Sequence, residues 1–146
     1  KKFKEILNNS SCFMPIDHEY ARSGYLKECF STHYIVPFIY KNNIEGIDRS
    51  RIVEILNKEG LLFYQGYTKP LYLQPIYQQR TAFKGGYPFK ASENLNLNQN
   101  YKQGICPQAE DMHFNKLILS EHIRPPQTLE DIEDIEKVFL KVFENF

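Results

Sequence analysis

The residues best suited to chemistry in this chain are aromatic and cationic. Tyr64, Tyr67, Tyr72 and Tyr77 follow one another closely, with Lys69 and Arg80 among them. They come directly after a segment that reads as a strand, and side chains leaving a strand end into a long loop are placed to line a cleft. The competing reading is a half-buried aromatic cluster whose hydroxyls reach water. A second group, Phe83-Lys84-Gly85-Gly86-Tyr87-Pro88-Phe89-Lys90, interleaves rings with lysines, a composition able to stack bases and touch phosphates. It matches no RNA-recognition sheet motif, and the plainer reading is a loop anchored on the domain by its aromatics.

Glu110 and His113 have the Glu-x-x-His spacing that puts both on one helix face, as in di-iron bundles. Such sites need a second copy and two further glutamates, so a solvated helix face is expected and no metal. The four histidines, His18, His33, His113 and His122, are scattered with no assignable nucleophile. Neither of the two common glycine-rich phosphate-binding patterns occurs. Cys12, Cys29 and Cys106 are odd in number, widely spaced and free of Cys-x-x-Cys, which points to reduced thiols.

The elements that must position these groups lie in a chain of 146 residues, enough for one core. Eighteen basic residues balance eighteen acidic ones, so no net charge draws the protein to nucleic acid or an anionic membrane. No apolar run is long enough to span a bilayer and no signal peptide is visible, which makes a cytoplasmic protein the expectation. The chain starts at Lys1 without Met, as a piece of a longer protein would. With no Trp but 10 Tyr and 11 Phe, aromatic packing must carry much of the core.

Phe3, Ile6 and Leu7 predict a short helix ending at Asn8, read as the end of a longer one, and Cys12 to Ser31 reads as loop. Thr32 to Tyr40 is rich in β-branched and aromatic residues and predicts a strand, with Pro37 arguing for an edge position or a bulge. Asp48 as N-cap, the stripe Ile52, Val53, Ile55 and Leu56, and Gly60 as stop predict a helix of about three turns. Leu61 to Gln65 predicts a second strand. Between Gly66 and Cys106 regular patterning fails for about forty residues, a length usually functional or disordered. Within it only Pro75 to Arg80 reads as helical, and the asparagine-rich 91–100 as mobile loop. Pro107 opens a helix whose apolar side is Ala109, Met112, Phe114, Leu117 and Ile118. A strand near Leu119 to Ile123 follows, ended by Pro125-Pro126. Thr128, with Asp131 three residues on, starts a final helix with the stripe Leu129, Ile132, Ile135, Phe139, Val142 and Phe146.

Taken in order, these pieces resemble the C-terminal small domain of the DegT/DnrJ/EryC1/StrS family of pyridoxal-phosphate-dependent sugar aminotransferases. The resemblance runs from about Thr32 to the end and rests on the order of short motifs. Ile47-Asp48-Arg49 with its helix and Gly60 is similar to the family's arginine-started helix. Tyr67 through Pro70-Leu71-Tyr72 falls where the family has an aromatic, a proline, a leucine and a histidine, so that Tyr72 stands in the histidine's place. Cys106-Pro107-Gln108-Ala109-Glu110 is similar to the Pro-x-Ala-Glu that opens the penultimate helix. Arg124-Pro125, Asp131, Asp134 and the closing Lys-Val look like the last strand and helix, and residues 81–105 look like an insertion.

The resemblance implies an α/β domain of α+β type: a small, largely antiparallel sheet with packed helices, as in the C-terminal domain of fold-type I aminotransferases. Residues 1–146 form one domain, with 1–31 a linking helix and loop. The large domain that binds the cofactor is absent. In the parent enzyme a lysine of that domain holds pyridoxal phosphate, which acts as electron sink while an amino group passes from glutamate or glutamine to a keto-sugar or keto-cyclitol, free or nucleotide-linked. No residue of this chain is expected to be catalytic, the fragment alone is expected to bind no cofactor and to be inactive, and the parent to be a homodimer. Tyr67, Lys69, Tyr72 and Arg80 are the candidates for contacting donor carboxylate or acceptor hydroxyls. The alternative is a free-standing, non-catalytic module that binds a small ligand or a protein through its long aromatic loop.

Overall fold

In a computed structural model the described residues, 2–16, 34–94 and 100–143, run through α1 (Lys2–Asn9), β1 (Phe13–Pro15), β2 (Val36–Tyr40), α2 (Arg49–Lys58), β3 (Phe63–Gln65), α3 (Pro75–Gln79), α4 (Pro107–Asp111), β4 (Leu117–Ser120) and α5 (Leu129–Phe143). The strands form one sheet in the order β1-β2-β4-β3, every neighbouring pair antiparallel. The chain is thus of the α+β class expected for it, with an antiparallel sheet.

Local signals fix the two long helices. The Asp48 carboxylate accepts from the Arg51 amide at 2.8 Å and starts α2. At its far end the Gly60 amide donates to Asn57 O and the Leu61 amide to Leu56 O, each at 3.1 Å, an arrangement that needs the left-handed backbone Gly60 provides at φ 95°. Helix α5 opens with a reciprocal cap: Thr128 N donates to Asp131 Oδ2 at 2.6 Å while Asp131 N donates to Thr128 Oγ1 at 3.3 Å. Ile132, Ile135, Phe139 and Val142 are buried as the stripe predicts, but Leu129, in the first turn, is 73% exposed. Phe146, the last member of the stripe, lies outside the described residues.

All three longer helices pack on one face of the sheet. That face carries Phe13, Phe38, Tyr40, Phe63 and Ile118; α1 adds Phe3, Ile6 and Leu7, and α2 adds Ile52, Val53 and Leu56. Six ring contacts tie Phe3, Phe13, Phe38, Phe63 and Phe139 together at centroid distances of 5.3–6.1 Å, five of the six within 15° of perpendicular. Edge-to-face phenylalanines do here what a tryptophan does elsewhere. Tyr40 joins them because its hydroxyl donates to Ile47 O at 2.8 Å, so its own polar end is paired. The opposite face shows Met14 and Tyr64, each nearly half exposed.

Three expectations need correction. Pro37 does not mark an edge or a bulge: β2 lies inside the sheet, between β1 and β4. The Lys41 amide donates to Cys12 O at 2.9 Å, so alternate residues Lys41, Ile39 and Pro37 turn their backbones toward β1. β1 ends with Pro15 opposite Phe38, just short of a partner for Pro37, and the missing N–H is never called on. The stretch read as loop from Cys12 contains β1, too short to show a pattern and held by its pairing with Met14 opposite Ile39; residues 17–33 lie outside the described set. Leu117 and Ile118 belong to β4 and not to the preceding helix, and Ala109 and Phe114 are exposed. The apolar run continues without a break from helix to strand, and only sheet pairing decides where one stops.

The outer edge, β3, is guarded. Asn57 of α2 accepts from the Phe63 amide at 2.8 Å and donates to Phe63 O at 3.1 Å, so one side-chain amide occupies the backbone groups a further strand would use.

Candidate functional site

The chain between β3 and β4 carries all four predicted site residues, and its two ends are fixed to the sheet by different means. At the β3 end the Gly66 amide donates to Leu117 O at 2.7 Å. Gly66 has φ 61°, and a Cβ there would lie 2.7 Å from His113 O and 3.0 Å from His113 Nδ1, so a side chain is excluded both by conformation and by space.

At the β4 end, α4 continues into a π-helical turn, Met112–Lys116, whose carbonyls converge on Arg49. Arg49 Nη1 donates to His113 O at 2.7 Å and to Leu117 O at 3.0 Å, and Nη2 to Phe114 O at 2.6 Å. A cation at the first position of α2 opposes that helix's own dipole, yet here it sits at the C-terminal end of another helix, where positive charge is favoured. Burial pulls the guanidinium below its ordinary range, and its Nε is buried with no partner among the described residues. Arg49 is therefore the bolt that joins α2 to the end of the excursion.

Between these ends, the predicted residues separate. Tyr67 is exposed, and its hydroxyl meets that of Tyr34 at 2.6 Å. The Lys69 carbonyl accepts from Gln74 Nε2 at 3.1 Å, while its ammonium remains exposed. Tyr72, in a 3₁₀ turn at Leu71–Leu73, is turned inward and donates to Glu110 Oε1. Burial pushes its phenol up to about 12, with the Glu110 hydrogen bond and charge adding to the effect. Arg80 ends α3 in the left-handed conformation at φ 54°, and its guanidinium lies 5.8 Å from the centre of the Tyr101 ring. Tyr67 and Lys69 thus stay beside the sheet, Tyr72 forms part of an internal link, and Arg80 belongs to a separate aromatic group.

That group consists of Tyr77, Phe89 and Tyr101, with centroids 5.5–6.1 Å apart. Pro75–Gln79 is helical as its sequence predicts, and Phe89 anchors part of the 83–90 loop, but Phe83 and Tyr87 at its tip remain 67% and 60% exposed. The two rings lie 6.2 Å apart, braced by Phe83 N donating to Tyr87 O at 3.0 Å. Much of the asparagine-rich stretch, residues 95–99, lies outside the described set.

Glu110 corrects the expectation of a solvated helix face. Only 9% of it is exposed, and besides the Tyr72 hydroxyl it takes the Gly104 amide at 2.6 Å. The Tyr72 bond, followed by Gly104, holds its carboxyl below the usual carboxylate range. His113 is lowered, first by burial and then by the charges of Arg49 and Lys69. Among the described residues no three His, Cys, Asp or Glu side chains converge on a point that could hold a metal. Glu110, Arg49 and Tyr34 are the structural residues that site reasoning missed. The first two stand in the segments that carry the family resemblance, which was the available signal; Tyr34 carried none.

Lys58, Lys116, Lys137 and Lys141 each lie within 2.5–2.6 Å of a carboxylate, and Lys69 is exposed. No described helix is long and apolar enough to cross a membrane. No family model matches the chain, and no curated protein or solved structure matches it.

Proposed function

We propose that this chain is the C-terminal small domain of a cytoplasmic, homodimeric DegT-type aminotransferase, which transfers an amino group from glutamate or glutamine to a keto-sugar or keto-cyclitol. One observation carries the reading: the short motifs behind the resemblance are bonded to one another. Arg49 of Ile47-Asp48-Arg49 holds the carbonyls ending the helix that Pro107 opens, and Glu110 of that helix's motif takes the hydroxyl of Tyr72 in Pro70-Leu71-Tyr72.

In this reading pyridoxal phosphate belongs to a large domain of the same polypeptide and supplies the electron sink there. The present domain contributes binding. Tyr67 and Lys69, exposed beside the sheet, offer a hydroxyl and a cation to substrate hydroxyls and carboxylate, and Arg80 offers a second cation from across the excursion. Tyr72 acts indirectly, by holding Glu110.

The reading frame preceding Lys1 tests this. It should encode a further α/β domain of about 230 to 280 residues that contains the cofactor lysine, more than one ordinary domain. The full-length product treated with pyridoxal phosphate and borohydride should gain one lysine adduct, lying outside this chain. A start codon directly before Lys1, or a stoichiometric adduct on a lysine of this chain, overturns the assignment. The second reading, a free-standing binding module, is favoured by the braced and exposed Phe83–Tyr87 pair. It predicts that start codon.

A further inference from the structure

The aromatic and lysine-rich stretch at 83–90 divides its rings between two tasks. Phe89 packs with Tyr77 and Tyr101 and anchors the stretch on the excursion. Phe83 and Tyr87 take no part in that anchor, and both are more than half exposed. Backbone bonds nevertheless hold them in place: the Gly86 amide donates to Phe83 O at 2.9 Å, Phe83 N to Tyr87 O at 3.0 Å and Lys90 N to Gly86 O at 3.0 Å. Gly86 has φ 83°, and a Cβ there would lie 2.6 Å from Lys90 Cδ, so the bare glycine lets the lysine stem run against the turn. The two rings are thus presented to solvent, 6.2 Å apart and tilted by 54°, on a backbone already ordered for contact.

The charge of the excursion departs from that of the chain. Residues 66–106 hold five basic side chains and one acidic one, Glu93, while the remaining residues hold thirteen basic against seventeen acidic. A neutral chain therefore contains a local basic segment. Lys58, Lys116, Lys137 and Lys141 sit against carboxylates, whereas Lys84 and Lys90 are exposed and form no ion pair among the described residues. A lysine directly follows a ring three times, at Phe83-Lys84, Phe89-Lys90 and Tyr101-Lys102. A ring beside a cation matches a nucleotide, whose base stacks while its phosphate is paired. A membrane-seeking surface would instead gather its apolar groups on one side and its cations on the other. In a duplex the base faces are stacked on one another, so rings of this kind need an unpaired strand.

We propose that the turn 83–90 is a binding surface for single-stranded nucleic acid: unpaired bases stack on Phe83 and Tyr87 while Lys84 and Lys90 meet the phosphates. The proposal concerns residues other than Tyr67, Lys69, Tyr72 and Arg80, and it stands or falls independently of the aminotransferase reading.

Fluorescence anisotropy of a labelled oligothymidylate of about 12 nucleotides, titrated with the full 146-residue chain, tests the surface. Binding should saturate and weaken as salt rises, the slope of log affinity against log salt being about −1.4 for two phosphates contacted. Phe83→Ala and Tyr87→Ala should each weaken it about tenfold, the loss of one stacked base, and Tyr87→Phe should keep the parent affinity because the ring remains. Lys84→Ala should reduce the salt slope by about 0.7. Tyr64→Ala, which removes an exposed ring from the sheet and not from the turn, should change nothing. Unlabelled single strand should compete better than a duplex of the same length, heparin or phosphatidylserine vesicles. Absence of saturable binding, parent affinity in both ring-to-alanine variants, or stronger competition by duplex, heparin or vesicles would each overturn the proposal. Should a ring variant fail to fold, the salt slope of Lys84→Ala and the competition series with the parent chain decide the matter.

Discussion

Replacing Arg49 by leucine removes three donors at once, and the structure says what each loss costs. Leu117 O keeps the Gly66 amide at 2.7 Å, so it remains satisfied. His113 O and Phe114 O lose the guanidinium that reaches them at 2.7 and 2.6 Å. Two carbonyls left unpaired cost about 1–3 kcal/mol each, or about 2–6 together. Relief of the unpartnered Nε and of the buried charge returns part of this, about 1–2 kcal/mol. The net expectation is a loss of about 3 kcal/mol, a large share of the roughly 5–15 that holds a typical domain. In urea, with a slope of about 2 kcal/mol per molar, the midpoint should fall by about 1.5 M at unchanged slope. Arg49→Lys can serve one carbonyl but not the fork, and should lie between leucine and the parent. A second readout is independent of stability. Arg49 is one of two charges that hold His113 low, so in Arg49→Leu the His113 titration followed by NMR should move up toward its ordinary value. A leucine variant within about 0.5 kcal/mol of the parent, with His113 unmoved, would show that Arg49 is not the bolt described.

Gly66→Ala should destabilise by about 1–3 kcal/mol, measured by the same denaturation, since the backbone at Gly66 is left-handed and the new methyl meets His113 O. Asn57→Ala should cost about 1–2 kcal/mol and produce concentration-dependent light scattering, as the Phe63 backbone loses its partner. Because the folded-state carboxyl of Glu110 lies below its ordinary range, its contribution is present above that range and disappears as pH falls through the depressed value. Midpoints measured from neutral pH downward should therefore decline less steeply in Glu110→Gln than in the parent. In the proposed full-length enzyme, Tyr67→Phe should raise the KM for the amino acceptor with the cofactor retained; unchanged kinetics would remove Tyr67 from the site.

What could be read in advance divides along a physical line. Helices α2 and α5 announce themselves because their caps are local: Asp48 with Arg51, Gly60 with Asn57, Thr128 with Asp131. The strands are shorter than their pairing partners require for a pattern, and β1 exists only because Met14 finds Ile39. Pro37 misleads for the same reason, since whether its N–H is missed depends on where a different strand ends. Lys69 and Tyr67 are exposed, in keeping with their polar, turn-rich surroundings. Tyr72 and Glu110, by contrast, lie nearly forty residues apart, and nothing local tells a buried partner from a solvated one.

The strand order has a consequence for how the chain comes into being. β4 lies between β2 and β3, so the strand that joins the earlier two is the last to be made. Until residue 117 has been made, the strand that pairs with both β2 and β3 is missing. The length of the intervening excursion weighs little on that pairing, because loop-closure entropy rises only about 0.6 kcal/mol for each doubling. Evolution can therefore lengthen, shorten or rewrite the excursion with little effect on the sheet, provided that Gly66 and the Arg49-bound turn remain as its two footings.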